Sequence, residues 1–362
     1  MTKNKTYYYI GDDIEEYPEA WCYVIIGGRN TGKTYGALDY HLKIKEPHVF
    51  VKRHNNDIDI LTAGNKLGQA AADYEIDLSP YKSINRDKGT HIKAFKIDDG
   101  LGAFYNSEEG KAIGYPVGYL VSLTAIHKYK GFDLSECVSI IDDEFIPQKW
   151  EKVNRSEGDQ IMELYKTVAR DRELKGKPEL KLILLANAVN IFNYTCEVLE
   201  IVDIIADMSA SGRETLYLDD RRIFIRILKT SEVMMNKEKE SGIYKAMHNT
   251  AWGRMAFDNE FAYNDFSNIK KLSLKGYQPM IELLYKEKHY FIYSNDNGYY
   301  MCSSRAKCDQ FYDLNKEMDQ RRFYYDHIID FTNRCIEGLM KFEKYSMYDL
   351  IVNYKQRFVI RR

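Results

Sequence analysis

The residues Gly27-Gly28-Arg29-Asn30-Thr31-Gly32-Lys33-Thr34 fill the spacing G-x-x-x-x-G-K-[ST] directly behind an apolar run, Tyr23-Val24-Ile25-Ile26. A buried strand, a glycine-rich turn and a helix are what a polyphosphate cradle requires. Gly27 and Gly32 let the backbone curl so that successive N–H groups face an anion, with Gly28, Arg29, Asn30 and Thr31 completing the loop. Lys33 has the reach for β- and γ-phosphates, and Thr34 can offer its hydroxyl to Mg²⁺. The helix starting near Thr34 aims its positive dipole end at the same spot.

Such a loop does not by itself separate a motor from a kinase or a GTPase switch; a second element does. Ser139-Ile140-Ile141-Asp142-Asp143-Glu144-Phe145 reads as a strand ending in acids. One carboxylate there would help hold the metal opposite Thr34, and the next would polarise the attacking water. We assign Asp143 to the metal and Glu144 to the water; a shift of one residue would give Asp142 the metal and Asp143 the water. A water-activating glutamate at this place points to the hydrolytic, additional-strand class of ATPases, with ATP and Mg²⁺ as cofactors. Leu182-Ile183-Leu184-Leu185-Ala186 ends in Asn187, a candidate sensor of the γ-phosphate; the alternative is a helix cap or turn. Between the two strands lie Arg170 and Arg172. An arginine supplied by a neighbouring subunit stabilises charge on the transferring phosphoryl group; Arg170 is the first choice and Arg172 the second, against a surface ion pair for either. The role of Arg53 stays open. The basic stretch His127-Lys128-Tyr129-Lys130 is either a DNA or neighbour contact or a solvated loop.

These groups need a scaffold that brings strand ends together. Apolar runs recur at 23–26, 48–53, 119–123, 137–141 and 182–186, separated by helical patterns, which indicates a mainly parallel sheet covered on both faces. Residues 159–172 have helical spacing, and 93–105 read as an inserted hairpin. The first domain, residues 1–209, is thus an α/β sandwich of P-loop type. A hairpin at 215–228 and a charged helix at 231–246 read as a connecting region over 210–256. Beyond 257, strands at 280–284, 289–294 and 299–303, with the turn Asn295-Asp296-Asn297-Gly298, precede amphipathic helices filling 307–348; this is an α+β domain. Its end, Lys355-Gln356-Arg357-Phe358-Val359-Ile360-Arg361-Arg362, is a basic tail that could touch DNA or simply fray.

Bulk properties bound the partners. The 362 residues carry a net charge of −2, so the chain is no polycationic nucleic-acid coat and any DNA contact must be local. The 30 tyrosines read as core and interface packing, the favoured reading, or as stacking platforms for bases, and the sequence alone does not separate the two. Six cysteines without a C-x-x-C pair read as free thiols in a reducing cytosol, with no zinc site. No apolar run approaches ~18 residues, so no membrane span is expected, and no signal peptide is evident.

Taken in order, GGRNTGKT, HVFVKR, KYKGFD, SIIDDEFIP and LLANAVN resemble the DNA-encapsidation ATPases of small short-tailed phages, closely over the first ~210 residues and faintly beyond. The resemblance implies a ring motor, typically pentameric, that drives double-stranded DNA through a portal into a preformed capsid in the host cytoplasm. ATP would sit at subunit interfaces and meet an arginine from the next subunit. The C-terminal domain would be similar to an inactive ribonuclease-H-like nuclease that contacts the portal, DNA and, in some relatives, a structural RNA. The alternatives are another DNA-translocating or helicase-like ATPase, or a slow nucleotide-dependent assembly switch.

Overall fold

The computed structural model describes residues 7–62, 78–129, 131–148, 151, 154–172, 174–229, 235–236, 239–250, 253, 264 and 266–358. They fall into two compact units, Met1–Leu199 with Asp207–Tyr263, and Glu200–Ala206 with Asn264–Arg362.

The first unit is built on nine strands: β1 Cys22–Ile26, β2 His48–Lys52, β3 Ile92–Asp98, β4 Leu101–Glu108, β5 Lys111–Ser122, β6 Ser139–Asp143, β7 Lys181–Ala186, β8 Thr215–Leu218 and β9 Ile223–Ile227. They lie in the order β3-β4-β5-β2-β6-β7-β1-β9-β8. The six strands from β5 to β9 are parallel, and antiparallel strands extend the sheet at each edge. This is a mixed α/β fold with a large, mostly parallel sheet. Every residue of β1 is buried, because it lies between β7 and β9 and is covered on both faces; that is why it reads as a continuous apolar run rather than an alternating one. The core under the sheet joins Tyr23, Phe50, Tyr81, Phe104, Ile141, Ile183 and Phe224.

Strand β7 separates the strand before the phosphate loop from the acid-tipped β6. Parallel pairing in matched register, Ile26 opposite Ala186 and Asp143 opposite Leu185, brings the C-terminal ends of all three to one rim. Ligands in open parallel sheets bind at such a rim.

Three elements of this unit differ from their sequence expectation. The hairpin at 215–228, expected in a connecting region, is part of the main sheet: β9 pairs with β1, Ile26 opposite Ile227. A hairpin's own residues do not say which distant strand its edge will join. Strand β5 begins at Lys111 rather than near Tyr119; its first five residues are exposed, and Gly114 and Pro116 interrupt the apolar pattern that would mark a strand. The helix expected to reach residue 172 is α5, Glu157–Ala169. Arg170 leaves the helix with ψ 122° and Asp171 takes a left-handed φ of 56°. The other helices of this unit are α1 Ile10–Glu16, α2 Lys33–Ile44, α3 Asn55–Leu61, α4 Lys82–Lys88 and α6 Tyr194–Val198; α7, Val202–Ser211, belongs to both units, and α8 is Gly242–Met247. Lys237 and Glu238 of the expected charged helix lie outside the described residues.

The second unit has β10 Gln278–Tyr285, β11 Lys288–Asn295, β12 Gly298–Cys302, β13 Gln310–Asp313 and β14 Met340–Phe342, in the order β13-β10-β11-β12-β14. The antiparallel meander β10–β12 carries one parallel strand on each side. Strands β13 and β14 replace part of the expected all-helical stretch; four- and three-residue strands are too short to reveal a period of two. Gly298, at φ 133°, turns β11 into β12, with the Asn297 N–H donating to Asn295 Oδ1 at 2.9 Å. The described part of the basic tail is packed rather than loose. Arg357 donates to the fully buried Asp349 at 2.7 Å, and Phe358 joins the core. Residues 359–362 lie outside the described residues.

All six cysteines are free, five of them buried. Among the described residues no helix is long and apolar enough to cross a membrane.

Candidate functional site

The turn after β1 is shaped by backbone that few residues tolerate. Gly32 sits at φ 89° and Asn30 at φ 61°, left-handed values that glycine and asparagine adopt at least cost. A Cβ on Gly27 would come within 2.8 Å of Leu228 Cβ, so the residue just after β9 presses directly behind the loop. Lys33 begins α2, and its side chain folds back into the loop. The buried ammonium donates to the carbonyls of Gly28 at 2.6 Å and Gly27 at 3.1 Å, to Thr31 Oγ1 at 3.2 Å and to Asn187 Oδ1 at 3.3 Å. Burial lowers its pKa to about 8, against the pull of Asp143 and Glu144.

Opposite the loop, the Thr34 hydroxyl donates to Asp143 Oδ1 at 2.8 Å. Neighbouring strand residues point to opposite faces, so Asp142 cannot share that position: its carboxyl is buried, with Oδ2 unpartnered. Burial, then Glu157, pushes Asp142 up to about 7. The shifted register, with Asp142 toward the metal and Asp143 toward the water, therefore has no geometry to act through. Glu144 follows β6 with a left-handed φ of 71°, an outlier for a residue of its size. Its N–H donates to the Leu185 carbonyl at 2.8 Å, while its side chain is 58% exposed toward the rim. Asn187, at the tip of β7, faces Lys33; the cap of the next helix, α6, is supplied by Asn193 instead. Arg29 to Tyr35, Asp143, Glu144 and Asn187 line one cavity of about 440 Å³, within the usual range for a small-ligand site. Arg29 and Asn30 are exposed at its mouth.

Two neighbours, Lys52 at the end of β2 and Arg53 just after it, had no assigned role in the sequence. Lys52 donates to Asp143 Oδ2 at 2.9 Å and stands 3.7 Å from Glu144. Burial works against its charge, but the two acids more than offset it and raise its pKa. Arg53 is a bracket. Its guanidinium pairs with Glu157 and Glu151, each at 2.8 Å, and donates to the carbonyls of Glu144 at 3.0 Å and Phe145 at 3.3 Å. The available signal was a pair of cations closing an apolar run. Its meaning depended on β2 lying next to β6, which no local pattern states.

The two arginines after α5 differ. Arg172 is 3% exposed and donates to the carbonyls of Ser135, Cys137 and Pro178 at 2.7–2.9 Å. It ties the turn before β7 to the turn before β6 and cannot reach a neighbour, which removes it as the second choice. Arg170 is exposed. Both lie before the start of β7, away from the rim that holds the phosphate loop, so neither joins the cavity of its own chain. In the basic stretch at 127–130, Lys128 pairs with Asp99 at 2.7 Å and Lys130 lies outside the described residues.

Hydroxyl and carboxylate oxygens converging from Thr34 and Asp143 suit a hard cation such as Mg²⁺, which keeps water and phosphate oxygens for its remaining positions. A lysine held by loop carbonyls at the start of a helix and a carboxylate at the rim suit a nucleoside triphosphate.

Comparison with known families matches residues 104–320 to the model described as "Podovirus DNA encapsidation protein (Gp16)". Among solved structures, the chain is similar to one titled "The bacteriophage Phi-29 viral genome packaging motor assembly", with 16% identity, 98% of this chain and 99% of that chain covered, and a TM-score of 0.63. A second, "The Phi-28 gp11 DNA packaging Motor", has 15% identity, 98% and 99% coverage and a TM-score of 0.59. At these identities the likeness is one of fold. No curated protein sequence matches.

Proposed function

Since the chain belongs to the podovirus DNA encapsidation protein (Gp16) family and is a DNA-packaging ATPase, we propose that residues 27–34, Asp143 and Glu144 form its hydrolytic site. The observation that carries this is the 2.8 Å bond from Thr34 to Asp143 with Glu144 one residue on, its backbone turned so that the carboxylate faces the cavity. Lys33 and the loop amides bind the β- and γ-phosphates of ATP. Thr34 and Asp143 hold Mg²⁺, which when bound neutralises charge on the phosphoryl oxygens. Glu144 takes the proton from the attacking water. Asn187 senses the γ-phosphate through the contact it now makes with Lys33.

The site is half of a larger one. Arg170, exposed beyond α5, acts on the nucleotide of a neighbouring copy, so the working form is a homomeric ring, pentameric by family resemblance. The ring moves double-stranded DNA, gripped through its phosphates as sequence-independent transport requires, into a procapsid through its portal, in the host cytoplasm. The catalytic half extends through the hairpin β8–β9. Residues 264–358 form the module that contacts portal and DNA, an inactive relative of ribonuclease-H-like nucleases, with a structural RNA as a further partner.

The test is the ATPase rate of the wild type and of Glu144→Gln, with and without double-stranded DNA and purified procapsids. Stimulation by DNA and procapsid together, lost in Glu144→Gln while ATP still binds, is expected. Wild-type turnover in that variant would remove Glu144 from the mechanism.

A further inference from the structure

The phosphate loop is roofed by a segment that the hydrolytic chemistry does not use. Residues 7–9, Tyr7-Tyr8-Tyr9, cross the junction between loop and helix α2. The Tyr8 N–H donates to the Thr31 carbonyl at 2.9 Å. A Cβ on Gly36 would lie 2.4 Å from the Tyr8 carbonyl oxygen, and one on Gly32 would lie 3.0 Å from Tyr7 Cβ and 3.4 Å from its ring atom Cδ1. The glycines at 32 and 36 therefore admit the crossing segment as well as shaping the loop. The segment is anchored from behind. The Tyr8 hydroxyl donates to the buried Asp13 at 2.7 Å, and Asp13 is gripped by Arg226 of β9 through two hydrogen bonds. Burial, then Asp13, holds Tyr8 well above the ordinary tyrosine range, so it stays a donor at any working pH.

Tyr7 differs from its neighbour. Its ring lies against Gly32, a lining residue of the cavity, and the residue is 52% exposed. A nucleotide whose triphosphate lies in the loop must send its ribose and base out past Gly32 and the first turn of α2. An exposed aromatic face beside that exit, next in the chain to the anchored Tyr8, is what a nucleobase stacks on.

We propose that Tyr7 is the nucleobase platform of this site, a purine-stacking residue held in place by the Tyr8–Asp13–Arg226 anchor. This rests on the reading of residues 27–34 as the phosphate cradle. Stacking reads the base's face rather than its edge, so ATP and GTP bind alike and pyrimidine nucleotides bind more weakly.

The test compares Mg-ATP with Mg-tripolyphosphate, which has the phosphates and no base, by titration of the full chain. Tyr7→Ala should weaken ATP about tenfold and leave tripolyphosphate unchanged. Tyr7→Phe should keep ATP within about twofold, since the stacking face remains. Equal loss of both ligands in Tyr7→Ala would mean that Tyr7 only supports the loop, and unchanged ATP affinity would mean that no base stacks there; either overturns the proposal. Lys33→Ala should lose both ligands. If it loses neither, the cradle itself has been misread, a failure distinct from that of Tyr7.

Discussion

The two ends of the parallel sheet handle polar groups in opposite ways. At the end before β6 and β7, Arg172 meets three carbonyls at 2.7–2.9 Å and is closed off from solvent. At the other end, polar groups are held but not finished. Lys33 is lowered to about 8, Glu144 is carried on left-handed backbone, and Lys52 bridges two acids. A buried group with every hydrogen bond made contributes stability. One kept off its ordinary pKa or backbone region is ready to trade partners, which is what a site that binds and releases anions needs.

The sharpest way to break this comparison is at Arg170, the one charged side chain near the closed end assigned to catalysis. Arg170→Ala should reduce turnover of the assembled ring by about 10³–10⁵ without changing the melting temperature. Mixing it with Glu144→Gln subunits should restore part of the rate; no recovery at any ratio would return Arg170 to the surface. Glu144→Gln should cost about 10²–10⁴ in turnover, with nucleotide affinity retained in a binding titration. Arg172→Ala should do the reverse. It takes a donor from the buried Ser135 and Cys137 carbonyls, of which Ser135 keeps Lys177, and should cost about 1–3 kcal/mol of stability in chemical denaturation, with nucleotide affinity intact. If it instead lost turnover at unchanged stability, the division between the two ends would fail.

A smaller effect sharpens the same contrast under acid. His41 of α2 and His48 of β2 are buried, and both ring nitrogens of His48 lack a protein partner. Burial lowers His41 to about 4 and His48 well below its ordinary range. The unfolded chain therefore takes up protons that the native state refuses, and stability falls as pH drops from about 6.5 toward 4, by about 1–2 kcal/mol per histidine between pH 7 and 5. Denaturation at the two pH values measures this, and His48→Leu should flatten the slope; an unchanged slope would place the acid sensitivity elsewhere.

Much of the site was legible because it is contiguous. Residues 27–34 carry loop, lysine and hydroxyl in one stretch, and the acids close an apolar run that could only be a strand. The choice between Asp142 and Asp143 was not legible. Both are acids at a strand end, and only the face each occupies, set by pairing β6 between β2 and β7, separates the one beside Thr34 from the one beside Glu157. Arg170 and Arg172 read alike for the same reason. They are told apart by where α5 stops, one residue before the first of them.

The sequence by itself determined what is carried by neighbours along the chain: a phosphate loop between strand and helix, an acid-tipped strand, an asparagine-tipped strand and a mainly parallel sheet. Tertiary structure alone decided what depends on partners distant in sequence. It set Lys52 between the acids, put Arg53 behind Glu144, joined the 215–228 hairpin to β1, and laid Tyr7 and Tyr8 over the loop through Asp13 and Arg226. The physical reason is that local periodicity records which face of an element is buried, whereas charge pairing and strand order depend on which elements become neighbours once that burial has taken place.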